Sequence, residues 1–266
     1  MKIRVAAIAA MLTFSGATSL YAGVVVDEQQ VIDSGNGQPT SQNVTLMIEG
    51  NKQKTQVGEN TMVVDLDKGT RTVMNSGQRT FIELPFPPNR PMAANMSPMT
   101  FKKTGGHATV AGYSCDEYTG SASMGGNQSS LKACFSTGAP GASDFTAFNK
   151  RMAEKVKGTA LEMMGRLPDG APLQLETTTK ITHVSMPGMS PDQTAKINDM
   201  LAKRPPTVTH MTVTKISTRK LSADTFSVPA GYTKQQMGQG PAPAMMGKPA
   251  GPPAAGGSNP PIKVPE

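Results

Sequence analysis

The chain has 266 residues, with 26 basic against 19 acidic side chains, and it contains no tryptophan, four tyrosines, eight phenylalanines and 19 methionines. The positive excess is modest and scattered, without the basic clusters or interleaved aromatics of nucleic-acid binding, so that class is excluded. A core must therefore come from Val, Ile, Leu and Met, in one domain of about 200 residues with a tail.

Residues 1–22 open on Lys2 and Arg4, continue through the apolar run Val5 to Phe14 and end in the small and polar set Ser15 to Ala22, which is the order of a secretory signal. The run is shorter than the ~20 residues of a membrane span, and no cysteine follows it to carry a lipid anchor. Cleavage after Ala22 is the better of two sites, the other following Ser19. The mature chain is expected in the periplasm or secreted.

From residue 23 the sequence reads as short alternating segments ended by turn residues, the pattern of an antiparallel meander. Val44, Leu46 and Ile48 alternate with Thr45, Met47 and Glu49; Gly50-Asn51 turns the chain; Met62, Val64 and Leu66 form the next apolar face. Asp67-Lys68-Gly69 offers a hairpin turn with glycine where positive φ is needed, and Asn75-Ser76-Gly77 repeats the device. Ile82 and Leu84 then face inward before Pro85, Pro87, Pro88 and Pro91 stop the strand. Residues 85–100, with Met92, Met96 and Met99, form a proline-rich excursion that either covers a cavity mouth or, as long connections more often do, runs over the surface. Lys102 to Val110 continues as a strand broken at Gly105-Gly106, with Gly112 read as a bulge or bend.

Two cysteines in an exported chain point to a disulfide. Pairing Cys115 against Cys134 in an antiparallel ladder sets Glu117 opposite Lys132, Thr119 opposite Ser130 and Tyr118 opposite Leu131. Directly opposed Cα atoms about 4.5–5.5 Å apart fall within the disulfide window of about 4.4–6.8 Å. Ser143 then reads as the cap of a helix whose apolar positions are Phe145, Phe148, Met152 and Val156, extended by Met163 and Met164. A threonine-rich strand follows at 172–184. Ser190-Pro191-Asp192-Gln193 is a capping-box spacing with proline at the first helical position, and Lys203-Arg204-Pro205-Pro206 ends that helix. Thr207 to Thr218 returns as a strand, and Phe226 with Val228 closes the fold. Residues 236–266 hold eight prolines and six glycines, too little apolar surface to offset ordering entropy, and read as a disordered tail.

No nucleotide loop, zinc-helix motif, paired-cysteine redox motif or serine nucleophile elbow occurs, so no catalytic residue is assigned, no cofactor is expected and the chain is read as non-enzymatic. The one metal alternative is His183, Met186 and Met189, with His210 on an adjacent strand, a soft set suited to copper; the competing reading is a methionine-rich loop at a strand end.

Together the leader, the Asp65-Leu66-Asp67-Lys68-Gly69 hairpin, the Val110-Ala111-Gly112-Tyr113-Ser114-Cys115 strand and the closing Phe226-Ser227-Val228-Pro229-Ala230-Gly231-Tyr232 resemble an exported bacterial family with a domain of unknown function, itself similar to the periplasmic lipoprotein-carrier (LolA-like) half-barrel superfamily. The resemblance spans about 24–235. It implies an α+β fold, a curved antiparallel sheet forming an incomplete barrel with helices across its concave face, and in the carriers that cavity holds acyl chains. The expected organisation is thus a signal at 1–22, a half-barrel domain at 23–235 and the tail at 236–266. Two classes follow: a module binding an apolar or lipid ligand through Leu46, Ile48, Val64, Ile82, Leu84, Phe145, Phe148 and Met152, or an envelope structural or interaction protein in which those same side chains fill a packed core.

Overall fold

The computed structural model describes residues 22–88, 96–124, 127–157, 159, 162, 167–184 and 189–236. The expected leader, most of the expected tail, Met163, Met164 and Met186 lie outside the described residues.

One twelve-stranded sheet organises the chain. Strands β1 (Gly23–Asp33), β2 (Thr40–Glu49), β3 (Lys52–Val57), β4 (Asn60–Asp65), β5 (Thr70–Asn75) and β6 (Thr80–Pro85) form a meander running outward from β1. The chain then reaches the opposite edge with β7 (Met96–Val110) and works back through β8 (Tyr113–Met124), β9 (Asn127–Ser136), β10 (Ala171–Lys180) and β11 (Thr207–Arg219), which pairs with the other side of β1. All neighbours are antiparallel except β12 (Thr233–Lys234), which runs parallel to β6.

The sheet is curved, since β7 contacts β11 although three strands separate them in the order. Register shifts between Asp27 and Glu28, between Pro172 and Gln174, and between Lys103 and His107 mark bulges that sharpen this curl. The last of these is the expected break at Gly105-Gly106. The sheet does not close, because β12 and β7 remain its two edges. The fold is an incomplete antiparallel barrel.

Helix α1 (Ala142–Val156) packs on β2 and β10, spanning the two strands between them and so lying across the concave face. Its cap is Gly141, at φ 73°, and not Ser143. The reason is close approach: a Cβ on Gly141 would lie 2.1 Å from Cγ2 of Val24. The apolar stripe of α1 sends Phe145, Phe148 and Val156 into the main core with Val24, Val26, Ile48, Val64 and Leu173. Helix α2 (Pro191–Lys203) has the expected capping box, with Ser190 Oγ accepting from Gln193 N at 3.3 Å and Gln193 Oε1 accepting from Ser190 N at 3.1 Å, yet it buries no residue. Polar bonds hold it, including Val184 N to Asn198 Oδ1 at 2.8 Å.

Four local expectations need correction. The 172–184 strand ends at Lys180. Val110 to Cys115 is a hairpin turn and not a continuous strand, because Ala111 (φ 51°) and Gly112 (φ 83°) are both left-handed, as a two-residue turn matching strand twist requires. In the turn after β5 the positive φ falls on Arg79 and not on Gly77. The fourth concerns the cysteines. They are bonded, with Cα atoms 5.4 Å apart, but the β8–β9 register sets Glu117 against Cys134, Thr119 against Lys132 and Tyr118 against Ala133. The bridge is diagonal, two residues from direct opposition. A two-residue slip leaves every side chain on its original face, so alternation could not detect it. What selects the observed register is packing on both sides of β9: Phe135 takes the edges of Tyr118 and Phe101, with ring centroids 5.7 and 6.4 Å away, while Lys132 pairs with Glu176 on β10 at 3.0 Å.

Candidate functional site on the concave face

Directly opposed residues of an antiparallel ladder share a face, so the strand register lays out the concave surface row by row. One row runs Ile48, Gln53, Val64, Arg71, Leu84 across β2 to β6; the next runs Leu46, Thr55, Met62, Val73, Ile82; a third runs Glu28, Val44, Val57, Asn60, Asn75. Near α1 this face is filled. Phe148 is 0% and Ile48 2% exposed, Val64 and Phe145 belong to the same buried cluster, and Leu46 and Met152 pack against it. Toward the β6 edge the same rows continue as half-buried side chains, among them Met62, Arg71, Ile82 and Leu84.

Of the eight residues expected to line a ligand site, six therefore sit in or against the core, and Ile82 with Leu84 sit on the half-covered strip beyond it. Beside that strip opens a groove of about 680 Å³, lined among others by Thr55, Val57, Asn60, Met62, Gln30 and Gln42. Its amides are organised by one another: Asn75 Nδ2 donates to Asn60 Oδ1 at 3.0 Å, and Gln42 Nε2 donates to Gln30 Oε1. Glu28 is buried where the third row meets the core, opposite Val44 on β2 and Val213 on β11. Desolvation pushes its carboxyl up to about 7.

The sequence reading did not single out Arg71, Glu28 or the groove amides. Each stands in a strand of mixed composition where local alternation does not separate a solvent face from a concave one; only the pairing with neighbouring strands places them.

Of the metal alternative, Met186 lies outside the described residues; His210 lies on β11 opposite Glu176, with Nδ1 and Oε2 3.5 Å apart, and His183 follows the end of β10. His183 Nδ1 is 3.0 Å from Asn198 Nδ2. The third histidine, His107, contacts Asp116 at 2.8 Å. Lys103 also binds Asp116, at 2.7 Å, and holds its carboxyl below the usual range. The two cysteines are oxidised to one another.

No protein-family model matches the chain, and no curated protein matches it. Solved structures similar to it include PNGF-II, at 10% identity and a TM-score of 0.38 over 81% of this chain and 31% of that one. A LolA superfamily protein from Nitrosomonas europaea is 7% identical, with a TM-score of 0.30 over 78% of this chain and 90% of that one. A DUF1329 family protein from Desulfovibrio piger is 9% identical, with a TM-score of 0.31 over 79% and 90%. The chain thus spans about a third of the length of PNGF-II. At TM-scores below 0.5 the fold assignment rests on the strand register itself.

Proposed function

We propose that this chain is an exported, non-enzymatic binding module that takes an apolar or amphipathic ligand on the concave face of its half-barrel, on the strip beside the packed core and not within it. The observation that carries the reading is the continuity of the rows: side chains that are fully buried under α1 at one end become half-buried at Met62, Ile82 and Leu84, next to an open groove. Adaptable methionine in such a wall suits varied apolar partners. The oxidised cysteine pair agrees with an oxidising compartment outside the cytoplasm. Both thiols are consumed in the bridge, so neither cysteine is available as a nucleophile.

Displacement of a fluorescent fatty acid from residues 23–266 tests the proposal. Saturable uptake that is lost in Ile82→Glu is expected, since the charge falls on the strip and leaves the core alone. A second reading is favoured by the tightness of the inner face, where Phe145 and Phe148 meet Ile48 and Val64: an envelope interaction protein with a filled interior. Absence of uptake by the wild-type chain would select it.

A further inference from the structure

We propose that the concave strip recognises an anionic amphiphile, a single-chain fatty acid, through the guanidinium of Arg71; the proposal rests on the concave-face reading above. Arg71 stands on β5 between Val64 and Leu84 in cross-strand register, and the next concave position on its strand, Val73, faces Ile82. An arginine in a row of aliphatic side chains loses hydration, and such a group is ordinarily compensated by a carboxylate or by hydrogen bonds. Arg71 is half-buried: its Nε is buried without a hydrogen-bond partner, and no carboxylate pairs with its guanidinium among the described residues, so its two Nη atoms are left to solvent. Three other cations on this sheet are matched, Lys103 by Asp116, Lys132 by Glu176 and Lys234 by Glu83; what sets Arg71 apart is its place between Val64 and Leu84 with a buried Nε.

A guanidinium offers a planar fork of donors that accepts one carboxylate in bidentate fashion. One such group on an apolar strip defines a ligand with one acidic head and one hydrocarbon chain. The head docks at Arg71, and the chain lies over Leu84, Ile82 and Met62 toward the groove. Charge complementarity thus selects the acid over an uncharged alcohol of equal length.

The experiment compares equilibrium binding of palmitate and hexadecanol to residues 23–266 and to Arg71→Met, with the urea midpoint of the variant as a check on folding. Wild type is expected to prefer palmitate by about ten-fold or more, with binding that weakens as salt rises. Arg71→Met is expected to lose the preference while still taking up hexadecanol. Equal affinity of the wild-type chain for acid and alcohol overturns the Arg71 assignment and leaves the concave-face reading standing, and that comparison needs no variant. Binding of neither probe overturns both.

Discussion

Phe148 is the side chain on which the division of the concave face into a filled half and an open half can be measured. It is 0% exposed, on the second turn of α1, and belongs to the cluster that includes Val24, Ile48, Val64 and Leu173. An aromatic ring of this kind removes about 150 Å² or more from water. At about 25 cal/mol per Å² that is about 4 kcal/mol, which agrees with the 3–5 kcal/mol typical of Phe→Ala in a core that cannot collapse. With a urea dependence of about 2 kcal/mol per molar, Phe148→Ala should lower the denaturation midpoint by about 2 M under non-reducing conditions. The assay is a pair of urea titrations followed by far-ultraviolet circular dichroism. A fall of less than about 0.5 M would mean that Phe148 borders empty space, and the assignment of a packed inner half would fail.

Reduction of the Cys115–Cys134 bridge, which closes a separation of 19 residues, should remove about 3 kcal/mol of stability; equal urea midpoints with and without reductant would contradict this. The buried carboxyl of Glu28 keeps its proton up to about 7 in the folded chain, against an ordinary 4.5. Between those values the folded state binds more protons than the unfolded one, so stability falls as pH rises from about 4.5 to about 7, by on the order of 3 kcal/mol in total. Glu28→Gln should abolish that slope, and superimposable pH profiles for wild type and variant would refute it. Deleting residues 237–266 spares the bond from Gln235 N to Phe81 O and should leave stability within about 0.5 kcal/mol, as read by thermal melting.

Much of the architecture was legible because it is local. The capping box at Ser190, the Asp67-Lys68-Gly69 turn, where Gly69 has φ 63° and Asp65 Oδ1 accepts from the amides of Asp67 and Lys68 at 3.0 Å, and the Phe145-Phe148-Val156 stripe each follow from chemistry within a few residues. The disulfide partner followed from there being two cysteines, but its register did not, because a slip of two preserves both faces and the competing pairs were all plausible contacts. β1 carries Val24, Val25 and Val26 at 0, 7 and 1% exposure, a run buried on both faces that offers no alternation to read. Arg71 was invisible for the opposite reason: in Thr70-Arg71-Thr72-Val73 it looks like an ordinary strand charge, and only pairing with Val64 and Leu84 reveals the aliphatic surroundings. For the histidines, adjacency of β10 and β11 was not enough to foresee the register, which sets His210 against Glu176.

The most direct test of a ligand-binding concave face is native mass spectrometry of the chain purified from its native source, with solvent extraction of whatever it carries. A one-to-one adduct of single-chain acid mass is expected, released by extraction and absent from a Leu84→Asp variant prepared in parallel. A bare polypeptide mass for the wild-type chain, with no extractable amphiphile and no uptake of added fatty acid, would contradict it.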